Sequence, residues 1–530
     1  MKKRYLIMFL ALPFLVLSCA QENLQTESTG KTISVTATLA AETDTPNTKI
    51  SLEQDVLNIK LEWEEGDCIA LCIVADQQAY TQKVDVVIDK ENKKNASFKF
   101  TLPDDPKITK FDLYGMYGGN GFQENSTLVI LPDNPVADTE EGIRKDMVLT
   151  FTQTDIDASS PSLSVNFSHL GSVFRILVSN TDATNFDVIS EVKKAVLAPK
   201  SPGDFLGLHI NAGKGDGRYN VKTETFSGTN RSVTEFSFEL PLPVDLKPGK
   251  SQEFWAWIIP DGTGWPELEL KLVDASYKVL YTTSNFKESK TSPPTFGKAY
   301  HFFADYDNDA LTFSDLIRGK FTDPRDGNVY KTVEIIDKNS KKWIIMAENL
   351  RYLPKVVGPD EGDSEDAHYY VYGFEGTNVD AAKIYKVGEI CHYQTYGVLY
   401  NWPAAMIACP DGWSLPSYDE WGNIFLAFTT FYTQAGPYFK AIGTKEDGDG
   451  LWKASDKATK ATNSSGFTVL PAGNRTSGKF EYLEERGAFY SSSLDGSNKG
   501  GYHRFVYDVN GVTRNYCART TALSVRCVKD

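Results

Sequence analysis

Residues 32–39 read TISVTATL, with an apolar side chain at every second position. Alternation with a period of two, carried by β-branched residues, is typical of a strand that buries one face. Comparable runs, separated by turn residues, follow at 68–74, 96–102 and 111–116. The spacing of these runs predicts an antiparallel β-sandwich over residues 31–160.

The same pattern continues further along the chain, for example at 173–178 and 252–259. We therefore expect a second antiparallel sandwich over residues 161–307. The composition changes after the acidic stretch 305–309. Residues 312–530 are rich in Trp, Tyr and Gly and contain four of the seven cysteines, which indicates a third, different domain.

The charge balance excludes one broad class of partner. The 530 residues include 55 Lys and Arg against 70 Asp and Glu, a net charge of −15. A nucleic-acid binder needs a cationic surface, so we expect no nucleic-acid partner. The sequence also lacks the HExxH, GxxxxGK[ST] and GxSxG motifs. We expect no enzyme, no cofactor and no metal site.

The N-terminus has the pattern of an export signal. Residues 1–18 read MKKRYLIMFLALPFLVLS, a basic start followed by an apolar run that is too short to span a bilayer. The segment ends at Cys19 in a context that resembles a bacterial lipobox, in which the signal is cut before a cysteine that is then lipidated. Residues 19–30 are polar and read as a tether. We expect a lipid-anchored outer-membrane or surface protein; an ordinary signal with an incidental cysteine is the alternative.

Three blocks carry a resemblance in the first half of the chain. They read LEWEEGDCI at 61–69, NFSHL at 166–170 and GKAY at 297–300. They resemble the W-x-x-G-D-x-I opening, the F-x-H entry and the closing strand of the fimbrillin-like family over residues 30–307. The resemblance implies a surface lipoprotein with two sandwich domains that joins other fimbrial subunits by strand exchange.

Individual residues of these blocks have plainer interpretations. Trp63 is expected to be a core anchor. His169 lies between apolar residues and is expected to be packed rather than a ligand or a pH switch. Cys68 and Cys72 are about 13 Å apart if their segment is a strand, so they cannot bond each other within it, and buried thiols are expected.

Six ordered blocks carry a second resemblance in the last third. They read FTDPRDGNVY at 321–330, WIIMAENL at 343–350, YGVLYNW at 396–402, CPDGWSLP at 409–416, SGF and LPAG at 465–473, and LSVRCV at 523–528. They resemble the FISUMP family, a secreted major paralogous domain similar to C-type lectin-like folds. The resemblance implies a mixed α/β domain. Together with the two sandwiches before it, this gives an expected fold class that is mainly β and multidomain. An acidic, aromatic insert at 358–380 departs from the family pattern, and its role stays open.

The lectin-like resemblance also implies a disulfide. In such folds a cysteine of the first helical region bonds one on the last strand, and Cys409 and Cys527 match those places. Cys391 with Cys517 is the remaining pair, although four cysteines allow three connectivities. From the residues themselves, Ser417 is expected to cap a helix.

Six residues are candidates for ligand binding: Glu446, Asp447, Asp449, Trp452, Asn474 and Arg475. The three carboxylates form an oxygen-rich loop that could hold Ca²⁺, but a solvated turn is expected, and the sugar-binding motifs of calcium-dependent lectins do not occur. Trp452, Asn474 and Arg475 could line a shallow pocket, with a core position as the alternative for Trp452.

These expectations combine into a fimbrial tip subunit, an adhesin, that binds a host or microbial surface glycan or protein. A C-terminus tied by Cys527 cannot be threaded into a neighbour, whereas the strand at 32–39 can be released by a cut near 40–48. Lys49 is the basic residue near that loop, and no Arg lies between Arg4 and Arg144. The alternatives are a surface glycan-binding lipoprotein that does not polymerise and a secreted enzyme on a lectin-like fold.

Overall fold

The fold is taken from a computed structural model, which describes residues 31–39, 61–104, 107–133, 135–182, 185 and 187–530. The expected signal at 1–18, the tether at 19–30 with Cys19, and Lys49 lie outside these residues. Within the described part of the chain, no helix is long and apolar enough to cross a membrane.

The first sandwich consists of two sheets with the strand orders β10-β1-β5-β4 and β11-β9-β6-β2-β3. Its elements are β1 (Thr32–Thr38), β2 (Cys68–Ala75), β3 (Gln78–Asp85), β4 (Val87–Ile88), β5 (Asn95–Thr101), β6 (Lys110–Tyr117), β7 (Leu128–Ile130), β8 (Val136–Ala137), α1 (Glu140–Arg144), β9 (Leu149–Asp157), β10 (Ser162–Asn166) and β11 (Ser168–His169). The apolar faces of the two sheets enclose one core. The strand predicted at the start of the chain is thus confirmed.

Two strands lie in a different sandwich from the one expected, and one of them is β11, which pairs with β9 of the first sandwich. The sequence placed residues 162–166 in the second sandwich, but β10 pairs with β1, and in parallel. Val165 and the following Phe167 are buried in the first core. Alternation of apolar residues shows which side chains are buried, but it does not show which strand is the pairing partner.

The second sandwich has a sheet ordered β17-β14-β19-β12-β22-β23 facing a sheet ordered β18-β13-β20-β21. Its strands are β12 (Ser172–Asn180), β13 (Ile189–Pro199), β14 (Leu208–Asn211), β15 (Arg218–Asn220), β16 (Thr225–Ser227), β17 (Thr229–Asn230), β18 (Phe236–Leu246), β19 (Ser251–Pro260), β20 (Leu268–Val273), β21 (Val279–Thr282), β22 (Ala299–Asp307) and β23 (Ala310–Phe313). Two strands cross between the sandwiches, because β8 pairs with β19 and β7 pairs with β15.

The C-terminal part has short elements joined by long loops. They are β24 (Arg318–Thr322), β25 (Val329–Ile336), β26 (Lys342–Met346), β27 (Tyr369–Tyr370), α2 (Val379–Lys383), β28 (Lys386–Val387), β29 (Ile390–Cys391), α3 (His392–Tyr396), β30 (Leu399–Tyr400), α4 (Trp402–Met406), β31 (Trp413–Ser414), α5 (Tyr418–Phe425), a 3-10 turn (Tyr432–Gln434), α6 (Gly436–Phe439), β32 (Ala472–Thr476), β33 (Lys479–Leu483), β34 (Arg486–Leu494), β35 (Gly500–Val506), β36 (Val512–Cys517) and β37 (Val528–Lys529). A sheet ordered β24-β25-β26-β37-β31 and a sheet ordered β34-β35-β36 contribute to two apolar clusters.

The predicted helix start is confirmed at α5. The Ser417 hydroxyl accepts a hydrogen bond from the Glu420 N–H, and the Glu420 carboxylate accepts one from the Ser417 N–H. This reciprocal capping satisfies two donors that the first helical turn leaves unpaired. Trp421, Ile424 and Phe425 then lie on the buried face of the helix.

Candidate functional site

Strand β1 occupies an inner position in its sheet. It pairs in parallel with β10 on one side and antiparallel with β5 on the other. Ile33, Val35 and Ala37 point into the core and are almost fully buried, whereas the residues between them are exposed. Removal of β1 would leave an apolar groove between β5 and β10, with unpaired backbone groups along both edges.

Aromatic side chains pack around Trp63 in the core of the first sandwich. Trp63 is buried, and its ring packs edge-on against Tyr117 at 5.0 Å and Phe167 at 5.7 Å between ring centroids. Its indole N–H donates to the Lys94 carbonyl at 3.1 Å. Trp63 is therefore the core anchor that the sequence predicted.

The other residues singled out in the sandwiches are structural. Burial lowers the pKa of His169 to about 4, and among the described residues neither ring nitrogen has a hydrogen-bond partner. The ring packs against Gly297, where a Cβ would lie 2.8 Å from Cδ2. Neither Cys68 nor Cys72 forms a disulfide, and burial raises the pKa of the Cys72 thiol to about 12.

An ion-pair cluster joins the second sandwich to the C-terminal part. The Glu253 carboxylate lies 2.8 Å from Arg175 and 2.9 Å from Lys320, and Arg318 lies 3.0 Å from Asp305. Burial alone would raise the pKa of Glu253, but Arg175 and Lys320 lower it to about 2. Arg175 and Glu253 lie on β12 and β19, whereas Lys320 and Arg318 lie on β24, so the charges span the junction.

Two neighbouring apolar residues reinforce this junction. Ile317 packs against Leu177 and Phe303 of the second sandwich, whereas Leu316 packs into a C-terminal cluster. The Ile317 carbonyl also accepts a hydrogen bond from the Glu334 N–H at 2.9 Å. The segment between the two parts is therefore anchored on both sides.

The structure contains the Cys409–Cys527 disulfide that the resemblance implied, with 5.8 Å between the Cα atoms. The second expected bond is wrong, because Cys391 and Cys517 are not bonded. The Cys391 thiol donates to the Lys383 carbonyl at the end of α2, at 3.3 Å. The Cys517 thiol instead lies 3.6 Å from the Tyr490 hydroxyl. The pairing was inferred by elimination, and elimination says nothing about distance in space.

The expected shallow pocket is not formed by its three candidate residues. Trp452 is buried and donates to the Val469 carbonyl at 3.0 Å. Arg475 is also buried, and its guanidinium donates to the Pro359 and Glu361 carbonyls. Asn474, next to it, is 8% exposed. Arg475 therefore fixes the start of the 358–380 insert against the domain and is not free for a ligand.

The carboxylates of the candidate acidic loop accept hydrogen bonds from nearby backbone N–H groups and from a hydroxyl group. Asp449 accepts from the Thr444 N–H at 2.7 Å, and Asp447 accepts from the Thr444 hydroxyl at 2.7 Å. Glu446 accepts from the Ala454 N–H at 2.7 Å. Among the described residues, no group of three or more His, Cys, Asp or Glu side chains is arranged to hold a metal ion.

Sequence reasoning missed a row of flat side chains on the C-terminal part. Tyr516 stacks on Tyr418, and the Arg514 guanidinium lies over the rings of Tyr418 and Tyr432. Arg514 and Tyr516 are two residues apart on β36, so they share a face of the strand. This period-two pairing of a cation with an aromatic residue was the available signal.

Residues 337–529 match the family described as the Fibrobacter succinogenes major domain. The match confirms the resemblance to the FISUMP family over this range. A comparison with curated proteins finds no match.

Several solved structures show a limited likeness. A putative cell adhesion protein from Bacteroides ovatus is 16% identical, with a TM-score of 0.31, over 54% of this chain and 96% of its own. A structure described as putative polysaccharide binding proteins from Bacteroides thetaiotaomicron is 9% identical, with a TM-score of 0.30. The likeness covers 58% of this chain and 99% of that one. A fimbrial protein from Bacteroides ovatus is 10% identical, with a TM-score of 0.21, over 94% and 99%.

Proposed function

We propose that this chain is a surface-exposed fimbrial subunit that accepts a strand from a neighbour and carries its C-terminal domain outward as a binding module. The supporting observation is the inner position of β1 between β5 and β10. A strand with polar outer residues and buried alternate residues can be replaced by another strand with the same alternation. The first sandwich then becomes the acceptor.

The opposite end of the chain is unsuited to donating a strand. β37 pairs with β26 and with β31, and Cys527, next to it, is bonded to Cys409. In the second sandwich, β22 is an inner strand between β12 and β23, and the chain continues from it into the C-terminal part. A subunit that accepts and does not donate can only end a filament, so we place it at the tip.

The proposal also includes two steps at residues outside the described part of the chain. Lipidation at Cys19 would hold the protein at the outer membrane until assembly, and a cut near Lys49 would release β1. The C-terminal domain is proposed to be C-type lectin-like, with a surface glycan or protein as its ligand. The ion pairs at the junction would keep that domain in a fixed orientation on the second sandwich.

Strand uptake can be measured directly on the purified protein. A site for a sequence-specific protease is placed within residues 41–46, the chain is cut, and a labelled TISVTATL peptide is added. We expect the cut protein to exchange its own β1 for the peptide, as measured by native mass spectrometry. A control peptide with Val35→Asp should not enter, because it would bury an unpaired carboxylate. A cut protein that takes up neither peptide would contradict the acceptor function.

Position in the filament needs a second experiment. Immunogold labelling against residues 312–530 should mark filament ends, with one cluster per filament. Label spread evenly along the shafts would show that the chain also donates strands. Cells that carry the labelled protein without any filament association would favour the surface glycan-binding alternative, which requires no polymerisation.

A further inference from the structure

The row of flat side chains on the C-terminal part is built on rigid supports. The Tyr516 and Tyr418 rings are stacked at 5.1 Å with 9° between their planes. The Arg514 guanidinium carbon lies 4.3 Å from the centre of the Tyr418 ring and 4.6 Å from that of Tyr432. Tyr418 is the first residue of α5, whose start is fixed by the capping box, and it packs on the buried ring of His503 at 4.9 Å. We name Tyr516, Tyr418, Arg514 and Tyr432 the tyrosine–arginine row.

Arg514 uses fewer of its donors than Arg475, Arg526 and Arg325 of the same domain. Arg475 and Arg526 each donate to several backbone carbonyls at short distances. Arg325 makes a 2.7 Å ion pair with Asp323. Among the described residues, Arg514 makes two hydrogen bonds, both 3.4 Å long, to the Tyr418 carbonyl and to Asp419. Its Nε is buried and has no hydrogen-bond partner within the described part of the chain.

The one acidic partner is weakly held. The Asp419 side chain is 95% exposed, so its pairing with Arg514 is screened by solvent and contributes little. Among the described residues both hydrogen bonds use Nη2, so the Nη1 donors of the guanidinium stay unused while its faces are fixed between two rings. A planar fork held in this way is preorganised for a carboxylate, which it can bind through two parallel hydrogen bonds.

We propose that the tyrosine–arginine row is a binding site for a carboxylate-bearing sugar. The carboxylate pairs with Arg514 in place of Asp419, and the apolar face of the sugar ring lies along the tyrosines. Among the described residues, Tyr516 has ring contact with Tyr418 alone, so it ends the row and is half-exposed. The inference gives a ligand class to the C-terminal domain, and it rests on the proposed function of that domain as a binding module.

The test compares each charged sugar with an uncharged counterpart of the same shape. Trigalacturonate and its methyl ester form one pair, and sialyllactose and its methyl ester form the other. Binding to the full chain is measured by titration calorimetry. We expect one of the two charged sugars to bind and its uncharged counterpart to bind about tenfold more weakly or not at all, because the charge-assisted hydrogen bonds are lost. The pair that responds identifies uronates or sialates as the source of the carboxylate.

Variants locate the site. Arg514→Gln should abolish the difference between charged and uncharged sugars, Arg514→Lys should weaken binding of the charged sugar, and Tyr516→Ala should weaken both members of the pair. Asp419→Asn should leave binding unchanged or tighten it, because it removes a competing carboxylate. Arg231→Ala, an exposed arginine on the second sandwich, is the matched control and should have no effect.

Several outcomes would overturn the proposal. These are equal binding of charged and uncharged sugars, unchanged binding in Arg514→Gln with the melting temperature preserved, or no binding of any carboxylated sugar. Preferential binding of a C-terminal peptide carboxylate over both sugars would also overturn it. Peptide-strand uptake by the cut Arg514→Gln protein is measured in parallel. Uptake without sugar binding rejects this site alone, whereas loss of uptake in the cut wild-type protein rejects the acceptor function.

Discussion

The buried backbone groups of the first sandwich and of the C-terminal part find their hydrogen-bond partners in two different ways. Among the described residues up to 171, no charged side chain is buried, and strand ladders pair the backbone. The C-terminal part buries several charged side chains: Asp323, Glu334, Asp337, Arg351, Lys440, Arg475 and Arg526. Where the chain runs in loops instead of ladders, cationic side chains supply the donors that its carbonyls need.

Three of these cations show the principle. Arg526 donates to the Phe467 and Thr468 carbonyls and to the Asn349 side chain. The Lys440 ammonium donates to the Val506 and Val509 carbonyls at 2.8 and 2.9 Å, and burial lowers its pKa to about 8. Arg475 holds the insert in the same manner. A loop-rich domain fixed by such contacts is expected to be sensitive to single polar substitutions, unlike a sandwich.

The largest expected effect comes from Arg526→Ala. The substitution leaves two buried acceptors and one part-buried acceptor unpaired, which costs about 3–5 kcal/mol of unfolding free energy. Calorimetry should show a large downward shift of one transition, and hydrogen exchange should assign it to the C-terminal part. Arg231→Ala, on the surface of the second sandwich, should change stability by less than about 1 kcal/mol. Equal shifts from the two variants would contradict the comparison.

Reduction of the Cys409–Cys527 bond should have the next largest effect. The bond joins residues 118 apart, and such a bond typically stabilises a domain by about 2–4 kcal/mol. Thermal unfolding is measured with and without reductant. The reductant should lower the melting temperature of the C-terminal part and leave the melting temperatures of both sandwiches unchanged. The Cys391→Ser and Cys517→Ser double variant is the control, because neither cysteine is disulfide-bonded. If this double variant abolishes the effect of reductant, the assigned pairing is wrong.

The two regions also differ in how much of them the sequence predicted. The alternation at 32–39 predicted β1, and a capping box predicted the start of α5, because both signals are local and repeat a known geometry. The buried cations gave no such signal, since Arg475 was taken for a ligand-binding residue. Its carbonyl partners at Pro359 and Glu361 are more than 100 residues away. A side chain that acts across such a separation is visible only in the folded chain.

Acid should destabilise the two regions over different pH ranges, because each region contains a histidine whose pKa is lowered by burial. Burial, with a smaller effect of Arg514, lowers the pKa of His503 to about 3, and burial lowers that of His169 to about 4. The unfolded chain takes up these protons near pH 6.5, so stability falls below that pH by up to about 1.4 kcal/mol per unit. This loss of stability continues down to about pH 4 in the first sandwich and down to about pH 3 in the C-terminal part.

Urea unfolding at pH 7 and pH 5, resolved by hydrogen exchange, measures this effect. His503→Phe should reduce the loss in the C-terminal part by about 2 kcal/mol at pH 5 and leave the first sandwich unchanged. His169→Phe should give the converse result. An acid sensitivity that both variants retain in full would mean that carboxylates, and not these histidines, govern it.

The smallest expected effect concerns the helix caps, one in each region. Ser417→Ala removes the acceptor for the Glu420 N–H and should cost about 1 kcal/mol, whereas Ser417→Gly should cost only a few tenths. Because α5 carries Trp421 in the C-terminal core, hydrogen exchange should accelerate across that core. Thr139→Ala removes the cap of the five-residue α1, which buries Ile143, so its effect should stay within the helix. A Ser417→Ala effect confined to the first turn of α5 would show that the C-terminal core does not depend on how this helix begins.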